Sequence, residues 1–170
     1  MTKLLITDTG PILTLVAIEK FWVLEKLYPE YYIPPSVFAE LSSHLPSFSV
    51  DHRLVLTALS TRVLRIEEGW KRQLDLPAAL DLGELECIML AKQLGDTFFL
   101  VEDAKAKAIA IQLDIPSFGT NSLLQQGKIK GLISELRTSF AKILEAKRHY
   151  SIRLLNEVLS KNNEPLLDLQ

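Results

Sequence analysis

An apolar run that leads straight into a carboxylate opens the chain and constrains its fold more than any other stretch. Leu4–Thr7 precede Asp8, and Gly10-Pro11 follow. The pattern predicts a short buried strand that ends in a turn, and Pro11 suits the first turn of a helix over Ile12–Ile18. Asp8 would then lie at the carboxyl end of a strand, where open α/β sheets bind ligands. Alternatively, Asp8 caps the helix that follows it.

Strand and helix patterns alternate along the rest of the chain. Further strands are predicted over Tyr31–Ile33, Val63–Ile66, Thr97–Val101 and Ile115–Phe118. Further helices are predicted over Phe21–Leu27, Pro35–Ser43, His52–Leu59, Asp81–Leu94, Ala104–Leu113 and from Thr120 to about Gln126, while Trp70–Ala79 is ambiguous. Such alternation predicts an α/β fold with three layers and a central, mostly parallel sheet.

The C-terminal residues follow a helical pattern with a break near His149–Ser151. From Leu132 onward, apolar residues recur every three to four positions and define one apolar stripe. We therefore expect a domain over residues 1–131 and a helical extension over residues 132–170 that packs on it.

Composition limits the classes of protein. The chain has 170 residues, of which 48% are hydrophobic, which suits one folded domain. It has no apolar run of the roughly 18 residues that a membrane span needs, and its start lacks a secretory signal pattern, so we expect a cytosolic protein. The single cysteine, Cys87, lies among apolar residues and is expected to be a buried, inert thiol. Because the chain has a net charge of −2, it would need a local basic patch to bind nucleic acid.

Two further carboxylates, Glu40 and Asp103, lie at positions where they could bind a metal or a partner. Glu40 shares a helix face with Val37 and Leu41, so it either faces a partner or metal or reaches water at the edge of that face. Asp103 follows a predicted strand and precedes a helix, as Asp8 does. It too could be a helix cap.

Glu84 also has two interpretations. Asp81 and Glu84 have the spacing of a capping box at the start of a helix. Glu84 also lies one turn before Cys87, on the expected buried stripe, whereas Glu86 points away from it.

Jointly, the four acids suggest more than capping. If Asp8, Glu40, Glu84 and Asp103 converge on one sheet edge, their charges repel one another. Hard oxygen ligands of this kind select Mg²⁺ or Mn²⁺, and such ions activate water for attack on a phosphodiester.

These residues resemble the motifs of PIN-domain proteins, the fold of VapC-type ribonuclease toxins. The first acid matches Asp8 in Ile6-Thr7-Asp8-Thr9, and the second matches Glu40, after a short strand and prolines. The third matches Glu84, with Ala91 seven residues later, and the fourth matches Asp103 after Val101-Glu102. Glu86 and Glu102 are alternative candidates for the third and fourth ligands.

The resemblance implies a metal-dependent endoribonuclease, with Asp8, Glu40, Glu84 and Asp103 as the Mg²⁺ or Mn²⁺ ligands. It also implies a homodimer and, if the chain is the toxin of a toxin-antitoxin pair, an antitoxin partner. Thr9 or Thr120 would orient a water molecule in the outer shell of the metal. Contact with RNA would fall to Lys105, Lys107, Lys128, Lys130 and Arg137.

Two other functions are compatible with parts of this sequence. A PIN fold that binds RNA or protein with little or no catalysis is the main alternative, slightly favoured by the acidic balance and by Glu84 in place of the commoner Asp. A phosphatase of the haloacid-dehalogenase type also begins with a strand and an Asp, but it needs a second Asp two residues on, where this chain has Gly10.

Overall fold

Four parallel strands form the central sheet of the computed structural model, which describes residues 4–48, 52–71 and 80–168. They are β1 (Leu4–Thr7), β2 (Tyr31–Tyr32), β3 (Thr97–Leu100) and β4 (Ser117–Phe118), in the order β2-β1-β3-β4. Every strand pair is parallel, and Thr7 at the end of β1 lies opposite Leu100 at the end of β3. The carboxyl ends of the strands therefore meet at one edge.

Helices flank this sheet, which gives the three-layer α/β fold that the sequence predicts. In chain order, α1 to α10 are Thr9–Ala17, Phe21–Leu27, Pro35–His44, His52–Ser60, Glu68–Lys71, Leu82–Leu94, Ala104–Gln112, Thr120–Ile129, Arg137–Glu145 and Ile152–Lys161. The strands are apolar because both faces of the sheet are covered. Leu5, Ile6, Phe99 and Leu100 are fully buried. No helix of the described ranges has the length and apolar character needed to cross a membrane.

The strand order fixes where a ligand would bind. From β1 the chain passes to β2 on one side, and it later returns to β3 on the other side. The crevice between the ends of β1 and β3 is therefore the topological switch point, the usual ligand site of open parallel sheets. The backbone amide of Asp8 donates a 3.1 Å hydrogen bond to the Leu100 carbonyl oxygen there.

The strand predicted over Val63–Ile66 is wrong beyond its first residue. Val63 forms an isolated parallel bridge with Ile33. Hydrogen bonds from the Ile33 amide to the Arg62 carbonyl, and from the Leu64 amide to the Ile33 carbonyl, flank that bridge. The ladder ends there because the next residues of the partner segment are Pro34 and Pro35, which have no N–H to donate.

The C-terminal prediction needs one correction. Residues 132–136 are not helical: α8 ends at Ile129, and the chain then turns at Gly131, which has a φ of +72°. Helix α9 begins at Arg137, and the carboxylate of Glu164 accepts hydrogen bonds from the Leu136 and Arg137 amides at its start. Phe140 and Leu155 are fully buried, so α9 and α10 pack on the rest of the chain. The division at residue 131 stays a prediction, and most of the ambiguous segment at 70–79 lies outside the described residues.

Candidate active site

Asp8 lies at the switch point, and its side chain does not cap the helix that follows it. Its backbone is extended (φ −85°, ψ 171°), as at an N-cap, but its side chain accepts no capping hydrogen bond from α1. The capping role that the sequence also allowed for Asp8 is therefore not what this geometry shows. Since an N-cap residue normally bonds the first turn of its helix, Asp8 is the exception that suggests another role.

The surroundings of Asp8 disfavour a negative charge. Burial raises the pKa of the Asp8 carboxyl to about 7, and the Thr9 backbone amide opposes that rise. The charges of Asp81, Glu84 and Glu40 raise this pKa further, in that order. Asp8 is thus the centre of a group of like charges, which we call the acid cluster: Asp8, Glu40, Asp81 and Glu84.

A glycine brings two of these carboxylates close together. A Cβ atom on Gly83 would lie 3.3 Å from Asp8 Oδ1, 3.4 Å from Asp81 Oδ1 and 3.3 Å from Val37 Cγ2. An alanine at this position would force the Asp8 and Val37 side chains to give by a few tenths of an ångström. The sequence pattern indicates Asp81 only as a helix cap. Its nearness to Asp8 depends on how α6 docks, and no local pattern signals that.

Glu84 is both a cap and a member of the acid cluster. The Glu84 amide donates to Asp81 Oδ1 at 2.9 Å, and the Asp81 amide donates to Glu84 Oε2 at 3.0 Å, which completes the capping box. Burial raises the pKa of the Glu84 carboxyl. The charges of Asp81 and Asp103 raise that pKa further, while the Asp81 amide and the charge of Lys105 lower it. The two interpretations of Glu84 are therefore compatible.

Glu40 reaches the cluster from α3 and is exposed. Thr9 Oγ1 donates a 2.7 Å hydrogen bond to Glu40 Oε2. This bond ties the first turn of α1, next to Asp8, to the carboxylate of α3. Thr9 is therefore placed to orient Glu40.

Asp103 caps α7 beside the cluster. Its Oδ1 accepts hydrogen bonds from the Lys105 amide at 2.8 Å and the Ala106 amide at 2.9 Å. Because its charge raises the pKa of Glu84, Asp103 is also coupled electrostatically to the acid cluster.

The two alternative acids, Glu86 and Glu102, bond groups outside the acid cluster. Glu86 Oε2 accepts a 3.2 Å hydrogen bond from the Ser36 amide, so it serves the start of α3. Glu102 is held by the hydroxyl groups of Thr120 (2.6 Å), Thr14 (3.3 Å) and Tyr150, all of which donate to it. Thr120 therefore supports Glu102.

An arginine completes the arrangement around Glu102. Arg148 Nη2 lies 3.7 Å from Glu102 Oε2, and Arg148 Nε donates to Thr14 Oγ1 at 2.9 Å. Arg148 also donates to the Gly10 carbonyl oxygen at 3.2 Å. We call Glu102, Thr14, Thr120, Arg148 and Tyr150 the Glu102 network. It fastens the turn before α10 to the β3–α7 loop, and sequence spacing gave no signal for it.

The proposed basic contacts divide into two groups. Lys105 and Lys107 lie on α7 near Asp103, whereas Lys128 and Lys130 lie at the far end of α8, roughly 13 Å along the helix from Thr120. Lys128 forms an ion pair with Glu164, and Arg137 Nε donates to the Leu166 carbonyl. Lys128 and Arg137 thus hold the C-terminal residues Glu164 and Leu166 against the rest of the chain.

Cys87 lies beneath the site as an inert thiol. It is fully buried, and burial raises its pKa well above the usual range. Its Sγ–H points to the Thr7 carbonyl oxygen at 3.6 Å. Such a thiol is neither ionised nor accessible near neutral pH.

The carboxylate oxygens of the acid cluster are suitable ligands for a hard divalent cation. Their side chains are, however, not close enough together to form a complete coordination shell. Within the described residues, no three Asp, Glu, His or Cys side chains are already grouped as a metal-binding set. The oxygens of the acid cluster are nevertheless the ligand type that Mg²⁺ and Mn²⁺ prefer. A cation would relieve the repulsion that, after burial, contributes to the raised pKa of Asp8.

Comparison with known protein families agrees with the three-layer α/β fold described above. Residues 4–164 match a family model for the PIN domain. No curated protein matches the chain significantly.

Proposed function

Because this chain belongs to the PIN-domain family, whose fold is nuclease-like, we propose that it is a metal-dependent endoribonuclease. The observation that carries the proposal is the state of Asp8. Its carboxylate lies at the switch point, does not cap α1, and is surrounded by three other acids that help to raise its pKa to about 7. A buried acid with a raised pKa at a ligand-binding edge is a candidate for a functional site.

The residues that would hold Mg²⁺ or Mn²⁺ are Asp8, Glu40, Glu84 and Asp103, with Asp81 as a further carboxylate beside Asp8. When bound, the ion would polarise the scissile phosphodiester and lower the pKa of the attacking water. The chain's own contribution is to hold these carboxylates at one edge of the sheet.

The protein contacts of the acids set their roles. Thr9 orients Glu40 through its hydroxyl group. The capping bonds of Glu84 and Asp103 fix both side chains at helix starts. Positioning of this kind around metal ligands supports affinity and activity. The charge of Lys105, which lowers the pKa of Glu84, suits contact with an RNA phosphate beside the acids.

A homodimer, an antitoxin partner and a cytosolic location belong to the same proposal. Trp22 on α2 is 39% exposed, whereas its neighbours Phe21 and Leu24 are buried. An exposed tryptophan of this kind suits a subunit contact.

The test is cleavage of a labelled single-stranded RNA by the purified chain. We expect cleavage with Mn²⁺ or Mg²⁺, none with EDTA, and none from Asp8→Asn. Glu84→Gln and Glu86→Gln form a matched pair, because both remove one charge from α6 but only Glu84 is coupled to Asp8. Cleavage by Asp8→Asn at the wild-type rate, or equal effects of the two Gln variants, would contradict the proposal.

A binding module without catalysis is the second candidate, and one observation favours it. Glu84 and Asp103 both already bond helix amides, so their carboxylates have a structural role without a metal. RNA binding that is equal with Mn²⁺ and with EDTA, with no cleavage in either, would favour this candidate.

A further inference from the structure

A cavity of about 330 Å³ lies beside the acids, between the strand ends and the turn before α10. Residues on both sides of Asp103 line it, namely Glu102 and Ala104. Resting on the proposed function, we infer that this cavity binds one nucleotide of single-stranded RNA next to the scissile phosphate, with Lys107 and His149 as its contacts. Its volume is at the lower end of the range for small-molecule sites.

The charges of the lining residues suit a phosphate. Among the described residues that line the cavity, Glu102 carries the one carboxylate. Three hydroxyl groups donate to that carboxylate, and the Arg148 guanidinium lies 3.7 Å from it. Because the Glu102 network satisfies this charge, the ammonium group of Lys107 is the remaining charge for a ligand to meet. A cation in the cavity provides the local attraction that a chain of net charge −2 lacks overall.

The other walls suit a base and its sugar. Apolar surface comes from Val101, Ala104 and Leu154, and Leu154 is 45% exposed. The His149 ring is exposed at the rim, where it can stack on an unpaired base. The mixture of apolar surface, an aromatic ring and a cation is typical of sites for single-stranded nucleic acid.

A hydrogen-bond donor is fixed in the same cavity. Asn121 Oδ1 accepts a 2.9 Å hydrogen bond from the Ser122 amide, which fixes the amide group and leaves its NH₂ end as a donor. A Cβ atom on Gly119 would lie 3.1 Å from Asn121 Oδ1, so the glycine allows this side-chain position. Both Gly119 and Asn121 line the cavity.

The C-terminal segment lines one side of the cavity. His149, Tyr150 and Ser151 come from the turn before α10, and Tyr150 is bonded to Glu102. The C-terminal segment therefore supplies one wall of the subsite.

The test is RNA binding without cleavage. Fluorescence anisotropy would measure the affinity of the full chain for a short, labelled single-stranded RNA of mixed sequence in EDTA, over a series of salt concentrations. The variants are Lys107→Ala and His149→Ala. Lys161→Ala is the matched control, because Lys161 ends α10 about 15 Å from its start at the cavity.

We expect Lys107→Ala to weaken binding and to reduce the salt slope by about 1. His149→Ala should weaken binding by about fivefold or more through lost stacking. Lys161→Ala should bind as the wild type does, and all three should unfold at the wild-type temperature. The inference is overturned if both cavity variants bind RNA as tightly as the control, or if the wild type binds none.

The inference and the proposed function can fail separately. Binding that depends on Lys107 and His149, without metal-dependent cleavage, supports the cavity and removes the nuclease. Metal-dependent cleavage with RNA affinity unchanged in both variants supports the nuclease and removes the cavity.

Discussion

The hydroxyl group of Thr9 donates a 2.7 Å hydrogen bond to Glu40 Oε2, so the residue after Asp8 holds the acid of α3. Thr9 is 5% exposed, while Glu40 is open to solvent. A buried hydroxyl that bonds an exposed carboxylate fixes a side chain that would otherwise move freely.

Thr9→Val should therefore test whether the Thr9 hydroxyl group orients the Glu40 side chain, apart from its contribution to folding. The substitution keeps the shape but removes the donor, at a cost of about 1 kcal/mol in the free energy of unfolding. We expect weaker Mn²⁺ binding by titration calorimetry, and Thr9→Ser, which keeps the hydroxyl, should bind Mn²⁺ as the wild type does. Equal Mn²⁺ affinity in the Val and Ser variants would show that the bond does not orient a ligand.

The raised pKa of Asp8 predicts how stability depends on pH. The folded chain holds the Asp8 proton up to about pH 7, whereas the ordinary pKa of the group is 3.8. Because the folded state binds more protons in this window, the Asp8 contribution to the free energy of unfolding falls as pH rises from 3.8 to about 7.

Chemical unfolding of the wild type and Asp8→Asn without metal, at pH values across that window, isolates this contribution. The variant should gain stability relative to the wild type as pH rises, because it has no charge to bury. A constant difference across the window would mean that Asp8 titrates as it does in the unfolded chain.

We expect the substitution Gly83→Ala to change metal binding while changing the free energy of unfolding little. Gly83→Ala places a Cβ atom 3.3 Å from Asp8 Oδ1 and from Val37 Cγ2, so these side chains must give by a few tenths of an ångström. Alanine gains about 1 kcal/mol in helix propensity, which offsets part of that strain.

We expect a smaller rise in melting temperature on addition of Mn²⁺ for Gly83→Ala than for the wild type. Gly69→Ala is the control, since nothing lies within 4 Å of its Cβ position. If both alanine variants respond to Mn²⁺ as the wild type does, the spacing of Asp8 and Asp81 is irrelevant to binding.

The Glu102 network predicts coupling between the C-terminal turn and the β3–α7 loop. Tyr150→Phe removes the hydroxyl group that donates to Glu102, and a bond to a charged group is worth about 1.5–3 kcal/mol. Glu102→Gln should also destabilise the chain, and the double variant should cost less than the sum of the two. Additive losses in denaturant unfolding would show that the two residues act independently.

The sequence predicted the parts of the fold that depend on local patterns. An apolar run that ends in an acid indicated β1 and β3, and Gly95-Asp96 ended α6 as expected, with Gly95 at a φ of +85°. The strand at Val63–Ile66 failed because its partner segment runs into Pro34, so pairing depended on residues distant in sequence.

The site was less accessible from the sequence, because its contacts join distant segments. The acids at strand ends and helix starts were visible, but the approach of Asp81 to Asp8 required the docking of α6 across Gly83. The role of Glu102 required Arg148 and Tyr150 to fold back onto the loop after β3. Neither contact leaves a periodic or local signal.

The central claim is that Asp8 is the core of a divalent-metal site, and titration calorimetry of Mn²⁺ into the metal-free wild type and Asp8→Asn tests it most directly. Asparagine keeps the size of the side chain and removes its charge, so the fold should persist while a ligand is lost. The account predicts saturable Mn²⁺ binding to the wild type and no detectable binding to Asp8→Asn over the same concentration range. No binding to the wild type, or the same affinity in both proteins, would contradict it.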